Sequence, residues 1–255
     1  MLHGNIIITK GSETEDEFIL RGVFQISRND FYFNPDANFN PANVFHGCFA
    51  DVKLSCRLTV PHGEDFCYTI NDYATTIENI CALQKLAHKP EAEEYVSIIQ
   101  EALGKPQIKL CHTLFEKKQE SAEEEQNSST EASSTGTAVE NLGPEFSMET
   151  WPVAERCQLQ LQELLPTHDI CPLPAYEEDR SPIPPRQYES KLRGTLVEVH
   201  MSFCYHHIKK SKKHIFNAIP RQLIVLRPPA ALPNSPFKRQ RISAGNSKGK
   251  SPIRR

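Results

Sequence analysis

Polar and apolar residues alternate most cleanly between positions 191 and 227. Val197, Val199, Met201, Phe203 and Tyr205 fall on one face of an extended chain, and Glu198, His200, Ser202 and His206 fall on the other. A period of two predicts a half-buried strand. The segment HIKKSKK that follows is too charged to bury, and the chain returns from Phe216 to Leu226, ending in LIVL. The pattern therefore predicts a β-hairpin with a basic turn. A second clean alternation follows Gly47, with Cys48, Ala50, Val52, Leu54, Cys56 and Leu58 set against Phe49, Asp51, Lys53, Ser55 and Arg57. Residues 18–26 predict a further strand with Gly22 as a bulge. Residues 31–33 predict a short strand, residues 66–70 (FCYTI) a return strand after the turn PHGED, and residues 108–115 another strand.

Helical spacing appears in three places. Thr75-x-x-Glu78 fits a capping box, with Ile77, Ile80, Cys81 and Gln84 along one side. Pro90 opens a second helix whose buried face is Tyr95, Ile98, Ile99 and Ala102, ended by Gly104 and Pro106. Val153, Cys157, Leu161 and Leu164 predict a third, stopped by Pro166. Residues 34–43 read as an Asn/Pro-rich loop and residues 171–189 as an extended proline-rich connector. Residues 116–150 are acidic, rich in Ser and Thr, and nearly without aliphatics, so burial cannot offset chain entropy and the stretch reads as a disordered insertion. The chain after Pro228 reads as a disordered basic tail.

Residues 151–229 supply one helix and two strands, too little to close a core alone. The expected organisation is a flexible N-terminus over 1–15, one β-rich domain made of 16–115 and 151–229, the acidic insertion at 116–150, and the tail at 230–255. The fold class is α+β and β-rich: a single antiparallel barrel or sandwich with two to three helices. GCFADVKLSCRL from Gly47 also aligns with GTLVEVHMSFCY from Gly194, with the same buried parity. Two long strands opening on Gly suit a strongly bent barrel. On that basis the architecture resembles the OB-fold, a five-stranded, partly open barrel.

Charge sharpens the picture. From Lys191 onward there are 15 Lys and Arg against one acid, a balance of +14, whereas residues 1–190 carry −17. That asymmetry points to a basic binding surface or tail. The first residues lack the apolar core of a signal peptide, and no stretch approaches the about 18 apolar residues of a membrane span. The eight cysteines contain no C-x-x-C pair, so reduced thiols are expected, with no cofactor and no metal. P-loop, G-x-G-x-x-G, G-x-S-x-G and H-E-x-x-H patterns are all absent, which argues against an enzyme. Glu198 and His200 share a strand face, where a polar pair is the ordinary reading and an acid–base pair the chemical one.

Lys209, Lys210, Lys212 and Lys213 cluster at the hairpin turn, with Arg221 further along the returning strand. Tyr205, Phe203 and Phe216 flank them, although parity assigns Phe203 and Tyr205 to the core face. Bases beside aromatics suit single-stranded nucleic acid, where charges track phosphates and rings stack bases. Lys238, Arg239 and Arg241 have the character of a nuclear-import signal. Ser235 and Ser251 lie in S-P-x-K/R sequences that resemble sites of proline-directed kinases. Residues 25–32 (QISRNDFY) faintly resemble a sliding-clamp-binding box, with Arg28 where an aliphatic belongs. The expectation is a non-enzymatic nuclear protein that binds nucleic acid through the hairpin and tail, with an import receptor and a kinase as further partners. The alternative is a protein-interaction module that pairs through an edge strand.

Overall fold

The computed structural model describes residues 5–9, 16–61, 67–87, 94–102, 104–118 and 142–229. The chain runs β1 (Asn5–Ile6), β2 (Ile19–Ile26), β3 (Lys53–Thr59), α1 (Cys67–Ala87), β4 (Glu94–Val96), β5 (Ile99–Ala102), β6 (Lys105–Thr113) and β7 (Phe115–Lys117). It continues through α2 (Gln158–Leu164), β8 (His168–Ile170), β9 (Ala175–Tyr176), α3 (Tyr188–Leu192), β10 (Leu196–Ile208) and β11 (Lys213–Arg227). The fold is mixed α+β and strand-rich, with three α-helices among the described residues.

The hairpin of β10 and β11 is its hub. β10 pairs antiparallel with β11 along its whole length and with β2 from Leu196↔Gln25 to Ser202↔Ile19. β2 pairs β3, and β3 pairs β6, both antiparallel. β6 then meets β11 in parallel at Leu110↔Ala218. The pairings thus run from β10 through β2, β3, β6 and β11 and return to β10. The expectation of a wholly antiparallel sheet is corrected here, because β11 is parallel to β4 and β9 as well as to β6. Parallel neighbours need a long crossover, and the chain between β6 and β10 supplies it.

Alternation fixes which side chains are inside. Leu54, Cys56 and Leu58 of β3, Ile108 and Leu110 of β6, and Val197, Val199, Met201 and Phe203 of β10 are all fully buried. Each large side chain contributes roughly 1.5–3 kcal/mol by leaving water. They join residues from Met148 to Leu192 in one hydrophobic cluster. Gly22 makes no bulge, since its pairing to Val199 lies within an unbroken register. A Cβ there would meet the Phe24 ring at 2.8 Å, so glycine lets that ring lie across its own strand.

Several local expectations are overturned. Residues 67–70 are not a strand but the first turn of α1, and Thr75 lies inside that helix rather than capping it. Tyr73, Ile77, Ile80 and Gln84 give α1 one inward face, and β6 takes the place beside β3 that FCYTI was to fill. Residues 94–102 form strands rather than a helix. Their β-branched and aromatic side chains favour extended chain, and Gly104, at φ +70°, turns β5 back into β6. The buried Gln84 amide accepts a hydrogen bond from Ile98 N at 2.9 Å and one from Ser97 Oγ at 3.2 Å, which holds the break between β4 and β5.

At either end of the expected insertion, residues 116–118 and 142–150 are described. Residues 115–117 pair with β8, and 3-10 turns at Pro144–Phe146 and Met148–Thr150 bury Phe146 and Met148. Both are large apolar residues in a mainly polar stretch; 119–141 lie outside the described residues. The helix read over 151–165 begins only at a 3-10 turn over Glu155–Cys157. The chain before it is extended, and together with the turn it pins the 34–43 loop: Trp151 Nε1 donates to Pro35 O at 2.8 Å, and Arg156 of the turn pairs with the buried Asp36 at 2.8 Å. Within the N-terminus expected to be flexible, Asn5 and Ile6 form β1 along β10, and residues 1–4 and 10–15 lie outside the described residues.

Candidate nucleic-acid interface

The hairpin turn is closed by Ser211 N donating to Ile208 O at 3.2 Å. Lys209, Lys210 and Lys212 stand exposed on it and make no ion pair among the described residues. The other two predicted cations are already matched. Lys213 Nζ lies 2.6 Å from Glu94 Oε1, and Arg221 grips Glu17 with Nε at 3.0 and 3.1 Å from its two oxygens. Exposed pairs of this kind add little stability, but they reduce the field the turn presents. The aromatics expected beside it are committed too. Phe203 and Phe216 are core residues. Tyr205 shares a 2.7 Å hydrogen bond with His214 Nδ1, and His207 stacks on His214 with centroids 4.4 Å apart.

A second cationic surface lies on β3 and β6, assembled by the same alternation that fills the core. Lys53, Ser55 and Arg57 face away from the buried Leu54, Cys56 and Leu58. The register sets Arg57 directly opposite Lys109, Ser55 opposite Cys111 and Lys53 opposite Thr113. Like charges facing across a ladder are unfavourable. Asp30 offsets one of them, with Oδ2 3.1 Å from Arg57 Nε. Arg57 Nη1 remains buried without a hydrogen-bond partner among the described residues. Arg57 lines a cleft of about 220 Å³ together with Asp30, Tyr32, Ser55, Cys56 and Lys109. An unmet buried donor costs about 1–3 kcal/mol, so the cleft suits an oxyanion. Tyr32, 41% exposed, stands at its rim. The sequence placed Lys53 and Arg57 on one face; that Lys109 completes the site is decided by the β3–β6 register.

The remaining chemistry is quiet. Glu198 accepts hydrogen bonds from His200 and from Arg21, at 2.7 and 2.8 Å, which hold its carboxyl below the usual range. Burial pushes the Cys56 and Cys111 thiols up, disfavouring thiolate. Burial also lowers the His112 and His206 pKa values, helped at His206 by the charge of Lys53. Among the described residues no three His, Cys, Asp or Glu side chains are placed to share a metal, no disulfide forms, and no helix is long and apolar enough to cross a membrane. The clamp-box segment buries Ile26 and Phe31 in the core, so it presents no docking peptide. Lys238, Arg239, Arg241, Ser235 and Ser251 lie outside the described residues.

No family model matches the chain, and the search of curated proteins returns no match. Among solved structures, the chain is similar to gp2.5, a single-stranded DNA binding protein encoded by bacteriophage T7. The two share 9% identity at a TM-score of 0.40, over 86% of this chain and 99% of that one, and a score of that size does not establish a shared fold.

Proposed function

We propose that this chain is a non-enzymatic nucleic-acid-binding protein that holds single strands on an OB-like barrel. The observation that carries the reading is the coincidence of charge with topology. Taking β2, β3, β6, β10 and β11 as barrel strands one to five, the closed circuit of pairings supports that architecture. Barrels of this kind bind oligonucleotides on strands two and three and on the loops joining one to two and four to five. Here strands two and three carry Lys53, Arg57 and Lys109 beside Tyr32, and the four-to-five turn carries Lys209, Lys210 and Lys212. The tail is proposed to act in the nucleus: Lys238, Arg239 and Arg241 engage an import receptor, and phosphate on Ser235 or Ser251, about −1.5 to −2 charges each, weakens import and strand contact.

Fluorescence anisotropy with labelled single-stranded DNA, duplex DNA and RNA at two salt concentrations tests this, run on the full chain and on a chain ending at Pro229. Salt-steep, single-strand-selective binding that survives truncation is expected. Binding lost with the tail assigns it to nonspecific charge. Absence of binding to any of the three favours a protein-interaction module, a reading supported by Val44 and Phe45, which stand 88% and 92% exposed on the loop joining β2 to β3.

A further inference from the structure

Two residues beyond Arg57 and Lys109, on the same face of the same strands, stand Thr59 and Gln107. They line a second and larger cleft of about 550 Å³. Ser27 and Val60 wall it where the chain leaves β2 and β3, and Tyr73 and Ala74 wall it from α1. The lining is mostly apolar, and the volume falls among sites that enclose small organic groups. Tyr73 is fixed as a wall, because its hydroxyl lies 2.9 Å from Pro106 O and 3.2 Å from Leu58 O. Gln107 is only 7% exposed, and its Oε1 has no hydrogen-bond partner among the described residues. An apolar cleft with one unmet buried acceptor calls for a flat group carrying an N–H at its edge. The oxyanion cleft of Arg57 and Lys109 lies one two-residue step away, about 6.6 Å along the strands.

We propose that this cleft takes one unstacked nucleobase of a bound strand, whose edge N–H donates to Gln107 Oε1 while the adjoining phosphate rests on Arg57 and Lys109. The assignment rests on the single-strand reading above and adds a base-dependent contact to it. Apolar and aromatic walls accept the faces of any base, and the glutamine rewards an edge donor.

The test compares the full chain on labelled oligodeoxycytidine and on an abasic deoxyribose-phosphate chain of equal length and charge. The cytidine strand should bind about tenfold or more tightly than the abasic one. Gln107→Leu removes the acceptor. Ala74→Phe fills the cleft from an exposed helical position, where folding is not at stake. Both variants should bring cytidine binding down toward the abasic level and leave abasic binding unchanged. If Gln107→Leu fails to fold, Ala74→Phe decides alone. Equal affinity of the unaltered chain for the two strands, or a cytidine preference that persists with the cleft filled, overturns the base site and leaves the single-strand reading standing. No binding of either strand overturns both.

Discussion

Arg57 concentrates the chemistry of the candidate interface in one side chain. Its Nε is held by Asp30, its Nη1 is buried without a partner among the described residues, and Lys109 faces it across the ladder. A core position would not tolerate such a pair of cations, and a solvated face would not bury one. The arrangement is relieved by an anion, and that gives its mutation a signature distinct from a structural defect. Arg57→Ala and Lys109→Ala should each weaken single-strand binding about tenfold, as loss of one charge-assisted contact does. Each should also reduce the slope of log affinity against log salt by about 0.7. Thermal stability should not fall, because both variants remove a like-charge opposition. Anisotropy titrations across a salt series check this; an unchanged slope would remove these residues from the phosphate path.

Among the elements, α1 and the β4–β5 segment show where local pattern misleads. Residues 67–70 lie in a stretch that alternates like a strand, and 95–102 place apolar residues at helical intervals, yet each adopts the other structure. The deciding contacts are tertiary. Tyr73 reaches the carbonyls of Leu58 and Pro106, on β3 and β6, and Gln84 caps Ile98 N. Neither partner lies within the window that periodicity reads. Gln84→Ala would orphan the buried Ile98 N–H and should cost about 1–3 kcal/mol in urea denaturation. A loss below about 0.5 kcal/mol would show that the glutamine does not hold the β4–β5 break.

For the molecule as a whole, burial of neutral histidines ties stability to pH. His112 donates to Cys171 O at 2.8 Å, and burial depresses its pKa, as it does for His206. The unfolded chain takes up these protons near pH 6.5, where the folded chain does not. Stability is therefore full above about pH 6.5 and is lost as pH falls from there toward the lowered folded values. The urea midpoint should drop between about pH 7.5 and about pH 5.5, and His112→Gln should lessen the drop; a flat or rising midpoint would contradict it. In cells, changing Lys238, Arg239 and Arg241 together to Ala should move a tagged chain out of the nucleus, which microscopy checks; undiminished nuclear signal would refute the import assignment.

The alternation in β3 and β10 was legible because a half-buried strand enforces a period of two whatever its neighbours are, and the same rule put Lys53 and Arg57 on one face of β3. The basic turn was legible because four lysines in five residues cannot be buried. Other features waited for the tertiary structure. Glu94 and Glu17 neutralise Lys213 and Arg221 from far along the chain, and Lys109 is brought opposite Arg57 by strand register. The parallel β6–β11 pairing returns the circuit of strands to β10, and the large cleft gathers residues from 25 to 194. Sequence pattern reports the local balance of burial and solvation at each residue. Which distant charges meet, and where a cleft forms, is decided by pairings between segments up to two hundred residues apart.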